Sequence, residues 1–107
     1  MIGESELIAL IGPLNADALH RWIDLGWVLP EQDADSILFD RSDVARVRLI
    51  CELHYELRIE EDSLTVVLSL LDQLYAVRRS LRTLVAAVEA QPDDIRDRMW
   101  ALVQSVR

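Results

Sequence analysis

Arg21-Trp22-Ile23-Asp24-Leu25-Gly26-Trp27-Val28-Leu29-Pro30 is the stretch whose reading decides the fold. Ala18, Leu19, Trp22 and Ile23 lead into it at helical spacing, and Gly26 stands where a left-handed residue closes a helix. Trp27-Val28-Leu29 then runs extended into Pro30, after which the chain must reverse. Asp40 to Leu57 is a helix-forming run that has to fold back on what precedes it.

Working outward toward the N-terminus, Ser5 to Ile11 predicts a short first helix, with Ser5 as cap and Leu7, Ile8, Leu10 and Ile11 as its apolar face. Gly12-Pro13 stops it, and Asn15 is suited to cap a second helix whose first turn carries Asp17 near the positive end. Two helices joined by a tight Gly-Pro turn form a helix-turn-helix-like pair.

Toward the C-terminus, Trp27-Val28-Leu29 and Ser36-Ile37-Leu38-Phe39 are β-prone runs on either side of the polar loop Pro30 to Asp35, and predict a reduced hairpin or wing. Asp40 or Ser42 caps a third helix whose stripe is Val44, Val47, Ile50, Cys51, His54 and Tyr55. Glu60-Glu61-Asp62 interrupts the pattern, and Ser63 opens a long fourth helix. From Leu64 a seven-residue beat follows, with Leu64, Leu71, Arg78 and Val85 at one seam position and Val67, Leu74, Leu81 and Val88 at the other. The early turns also hold Val66, Leu68 and Leu70, which predicts enclosure by the headpiece, while the later turns need a partner for their stripe. A second copy is the simplest supply, with Leu71, Leu74, Leu81, Val85 and Val88 as the dimerisation residues. Pro92-Asp93-Asp94 starts a last amphipathic helix through Ile95, Met99, Trp100, Leu102, Val103 and Val106 to Arg107, folded back on the long one. The expected organisation is therefore all-α. A headpiece over residues 1–62 with a vestigial wing precedes a long helix and a short C-terminal helix over 63–107, one compact domain overall.

Charge narrows the partners. The net charge is −8 and all eleven basic residues are arginine. Up to Ala45 there are nine acids against two arginines, a net of −7; beyond it ten acids face nine arginines, a net of −1. The negative field on the N-terminal part points to a basic partner or to simple solubility, and away from phosphate backbones. No stretch reads as a leader or a membrane span, and the single Cys51 forms no internal disulfide, so the expected setting is a reducing cytoplasm.

Catalytic and cofactor chemistry finds little to work with. Gly3, Gly12 and Gly26 each stand alone, which excludes a glycine-rich phosphate loop. His20, His54 and Cys51 are too few and too scattered for a zinc site, so neither metal nor cofactor is expected. Cys51 and His54 lie one helical turn apart and read as a buried thiol beside a boundary histidine, because nothing marks an orienting third group. Glu60, Glu61 and Asp62 read as a solvated helix start, and no enzyme is expected. Trp22 fits the core stripe; Trp27, between Asp24 and Glu31, suits either a core lid or an interface anchor.

The order helix, helix, Leu-Gly-x-x-x-Pro turn, remnant wing, Phe-Asp, helix and long helix, from Ser5 to about Val88, resembles the DNA-binding half of MerR-type regulators. Within that superfamily the chain looks most like the chaperone-modulator family CbpM. The resemblance is carried by Leu25 to Glu31, Phe39-Asp40 with Val44-Ala45-Arg46-Val47-Arg48-Leu49, Leu53-His54-Tyr55-Glu56-Leu57, and Thr65 to Asp72 with its Leu68-Ser69-Leu70-Leu71-Asp72 run. It implies a non-enzymatic protein that binds the J domain of a DnaJ-type co-chaperone, CbpA, and keeps it from engaging DnaK. J domains present a basic helix, which the acidic headpiece would meet with Asp24, Glu31, Asp33 and Asp35 and with Trp27 as a buried anchor. A MerR-type DNA reader is the alternative. It needs basic residues on the second helix and wing, where this chain has Asp17, Asp24, Glu31, Asp33 and Asp35 with Arg21 as the one arginine.

Overall fold

The computed structural model describes residues 1–106 and divides into two compact units, Met1–Leu68 and a second from Ser69 onward. The fold is mostly α: five α-helices accompany one small three-stranded sheet.

In the first unit, strand β1 (Ile2–Gly3) leads directly into helix α1 (Glu4–Leu10), whose Leu7 is fully buried. The expected Ser5 cap is replaced by Gly3, which contributes no side-chain hydrogen bond. Helix α2 (Ala16–Asp24) starts as its sequence predicts, with Asn15 Oδ1 accepting from the Ala18 amide at 2.9 Å. Its end is equally regular: the Leu25 amide donates to Arg21 O at 2.9 Å and the Trp27 amide to Trp22 O at 2.9 Å. Gly26 makes that reversal possible at φ +78°, a backbone setting that costs a residue with a Cβ roughly 1–2 kcal/mol.

The wing is present but displaced. Strands β2 (Glu31–Asp33) and β3 (Ser36–Phe39) pair antiparallel with Asp33 opposite Ser36, and β1 lies on the other side of β3 with Ile2 opposite Phe39. Trp27-Val28-Leu29, expected to be the first wing strand, is not a strand at all. Trp27 and Val28 are drawn into the core, and the Trp27 carbonyl is taken by Arg46 Nε at 2.9 Å, so the backbone there is engaged elsewhere. Strand formation thus falls to Glu31-Gln32-Asp33, poor β formers held by register with β3.

Helix α3 (Arg41–Cys51) opens on a reciprocal cap, in which Asp40 Oδ1 accepts from the Asp43 amide at 2.8 Å and Asp43 Oδ2 from the Asp40 amide at 3.0 Å. Its Val47, Ile50 and Cys51 are buried as the stripe predicts, while His54 and Tyr55 fall on a π-helical turn, Glu52–Glu56, and are half-buried. Helix α4 (Glu61–Glu89) begins two residues earlier than the Ser63 start, because Glu60 O accepts from both the Ser63 and Leu64 amides at 3.0 Å. Leu64 and Leu68, one turn apart, complete a core shared with Leu7, Leu19, Trp22, Phe39, Val47 and Ile50. The expected all-round enclosure of the early turns is corrected: Val66 is 60% and Leu70 59% exposed, so only one face of α4 is covered.

The second unit pairs the rest of α4 with α5 (Asp93–Ser105), preceded by Pro92 as the sequence predicts. Trp100 Nε1 donates to Glu89 Oε1 at 3.0 Å, fastening the returning helix. Among its described residues none is fully buried; Leu71, Val85, Val88, Ile95 and Trp100 reach half-burial. The expected run of the last helix to Arg107 is shortened, since Val106 is already extended and Arg107 lies outside the described residues.

Candidate functional site

The surface built by the end of α2, the Gly26 turn and the β2–β3 hairpin carries the chain's most distinctive chemistry. Asp24 ends α2, Glu31 and Asp33 lie on β2, and Asp35 sits in the hairpin turn beside Ala34, whose φ is +51°. All four acids are exposed, and none forms an ion pair among the described residues. The negative charge expected of this part of the chain is therefore turned to solvent.

The basic side chains of α2, Arg21 and His20, are engaged within the fold. Glu61 Oε1, in the first turn of α4, accepts from Arg21 Nη2 at 2.9 Å, from Arg21 Nε at 3.2 Å and from Trp22 Nε1 at 2.7 Å. Its carboxyl is held below the usual glutamate range by the Arg21 hydrogen bonds first, which outweigh the opposing effect of burial, with the indole N–H adding to them. Arg21 is correspondingly raised, first of all by the hydrogen bonds it donates to Glu61. His20 on the same helix meets Glu4 of α1 through Nε2. The polar face of α2 thus presents Asp17 and Asp24, while its two basic side chains are engaged within the fold.

Trp27, for which the sequence left two readings, is 8% exposed and belongs to the core. Its ring stacks on Trp22 with centroids 6.4 Å apart and planes 30° apart. His54 meets Trp22 edge-on, and its Nδ1 donates to Ile59 O at 2.8 Å, which fixes the proton on that nitrogen. Tyr55 completes the cluster, its ring centroid also 6.4 Å from that of Trp22. Cys51 is buried, and burial, with Glu52, pushes its thiol up to about 11, so it stays protonated and a poor nucleophile. Among the described residues no group of three or more His, Cys, Asp or Glu side chains is placed to hold a metal ion, and no helix is long and apolar enough to cross a membrane.

On the long helix, Leu74 and Leu81 of the expected seam are 44% and 57% exposed, whereas Leu71, Val85 and Val88 are half-buried. The exposed apolar line runs through Leu70, Leu74, Val77, Leu81 and Leu84 at alternating spacings of four and three. Arg78, which interrupts the expected seam, lies off that line.

The Glu61 clamp escaped sequence reading. Three acids at the start of a helix were visible, yet nothing in the local pattern tells which of them reaches residues 39 and 40 positions away. Residues 5–85 match the family model described as MerR HTH family regulatory protein. No curated protein and no solved structure matches the chain.

Proposed function

Because the chain belongs to the MerR HTH family of regulatory proteins, we propose that it is a non-enzymatic member whose helix-turn-helix unit serves a basic protein surface instead of DNA. Its partner in this reading is the J domain of a DnaJ-type co-chaperone of the CbpA kind, held so that it does not engage DnaK. One observation carries the reading: Asp24, Glu31, Asp33 and Asp35 face solvent with no ion pair among the described residues, while Arg21 and His20 are engaged by Glu61 and Glu4. Phosphate contacts require free cations on the helix and wing that meet the duplex, and like charge there opposes binding. A cationic helix gains from the same arrangement, chiefly in the rate of encounter.

Titrating a CbpA-type J domain into the purified chain is the direct test. Binding at micromolar concentration that weakens as salt rises is expected, with Asp33→Lys/Asp35→Lys slowing association by roughly tenfold at low salt and changing dissociation less. Absence of heat at micromolar concentration ends the reading. A second reading, a DNA-binding regulator, is equally compatible with the family description. Salt-sensitive retardation of DNA from upstream of the protein's own coding sequence would carry it.

The homodimer belongs to the same proposal. An apolar line on α4 with alternating spacings of four and three suits a coiled-coil seam with a second copy. Leu74→Asp/Leu81→Asp should convert the dimer to monomer in sedimentation equilibrium at micromolar concentration without unfolding the first unit, whose core includes neither residue. A wild-type chain that sediments as a monomer removes the dimer from the proposal.

A further inference from the structure

Leu25 and Leu29 are the residues of the turn that the core does not take: they are 54% and 78% exposed, while Trp27 and Val28 between them are buried. Gly26 reverses the chain at φ +78°, the next two side chains go inward, and Leu29 is left in water just before Pro30. Asp24 directly precedes the first leucine and Glu31 follows the second by two residues. From Glu31 the chain continues as β2, an outer strand of the sheet, carrying Asp33. Two exposed leucines are thus flanked along the chain by carboxylates that form no ion pair among the described residues.

Each half of this surface selects for a class of partner. The carboxylates repel nucleic acid and anionic lipid headgroups, and they draw in cationic protein. The leucines gain nothing from a purely charged strand or loop; they gain from apolar side chains that exclude water beside the charges. A helix with lysine or arginine on its flanks and apolar residues along its centre satisfies both. We propose that Leu25 and Leu29 are the apolar anchors of an acid-rimmed docking surface for a basic amphipathic helix of a partner protein, with Trp27 supporting the turn from behind. The inference rests on reading this face as protein-binding, and it reassigns the anchor from Trp27 to the two leucines.

Two synthetic peptides of equal charge test it by calorimetry on the full chain: one with lysine and leucine at helical spacing, the other with serine for every leucine. The leucine peptide is expected to bind about tenfold more tightly, and Leu25→Ser/Leu29→Ser should bring the two affinities within about twofold. Both side chains are largely exposed, so the melting temperature should hold; if it falls, Leu29→Ser alone, at the more exposed site, gives the readout. Equal affinity of the two peptides for the wild type, or an undiminished preference in the variant, overturns the assignment. A leucine-dependent peptide preference with no binding of a J domain supports the anchors and overturns the co-chaperone reading alone. Binding of a J domain that is indifferent to Leu25→Ser/Leu29→Ser overturns the anchors and leaves that reading standing.

Discussion

Replacing Trp22 by alanine is expected to lower the unfolding free energy by roughly 3–5 kcal/mol, the range for emptying a large aromatic site in a packed core. Trp22 is fully buried and joins three parts of the first unit at once. Its ring stacks on Trp27 of the turn and meets His54 and Tyr55 of the π-helical turn, and its N–H donates to Glu61 of α4. Alanine removes the packing and strands the environment of that carboxylate together. Phenylalanine separates the two contributions: it keeps most of the apolar volume and the stack on Trp27 but has no N–H, so a loss of about 1–2 kcal/mol is expected from the missing hydrogen bond and imperfect fit. Urea unfolding followed by circular dichroism at the helical band measures both variants without depending on the fluorescence of the residue removed. A Trp22→Ala loss under about 1 kcal/mol would mean that this tryptophan is not the junction of the unit.

Much of this fold is written locally. Asn15, Gly26, Asp40 and Pro92 each sit where backbone chemistry demands such a residue, and each marks the helix boundary expected of it. The wing was harder to read because propensity and tertiary demand disagree. Trp27 and Val28 look like a strand, yet the core takes both side chains, and the acidic Glu31-Gln32-Asp33 is left to pair with β3. Ile2–Gly3 is too short to carry a pattern, so its place beside β3 leaves no local signal. The π-helical turn adds one residue to the helical count after Cys51, which is why His54 and Tyr55 leave the buried stripe that a regular helix would have continued. On α4 a seven-residue beat was legible, but which apolar line stays exposed depends on how α5 returns along it, and periodicity alone does not fix that. At the candidate site the charges could be counted from the sequence. Which of them are free could not, because the pairing of Arg21 with Glu61 spans 40 residues.

That pairing gives the second large effect. Glu61→Ala is expected to cost roughly 2–3 kcal/mol, with most of the loss from the Trp22 N–H, a buried donor left without an acceptor. The contribution of the Arg21 ion pair itself is smaller, since the arginine side chain is 53% exposed and solvent screens it. Glu61→Gln keeps an oxygen in place for the indole and loses the charge, so roughly 1 kcal/mol is expected from the weaker hydrogen bonds. Acid titration then distinguishes charge from geometry. The folded-state pKa of Glu61 lies below its unfolded value, so its stabilisation is complete above the ordinary glutamate range and is lost as pH falls through the lowered folded value. Asp43 works in the opposite sense, because burial raises its pKa and protonating it relieves a cost in the folded state. The wild type and Glu61→Gln share Asp43 and every other carboxylate, so the difference between their stabilities isolates Glu61. That difference should be largest near neutral pH and shrink toward zero in acid, read from urea midpoints over the range. A gap that stays constant down to pH values where carboxylates are protonated would show that Glu61 acts through its shape alone. The charge would then have no part in keeping Arg21 away from the surface where the partner is proposed to dock.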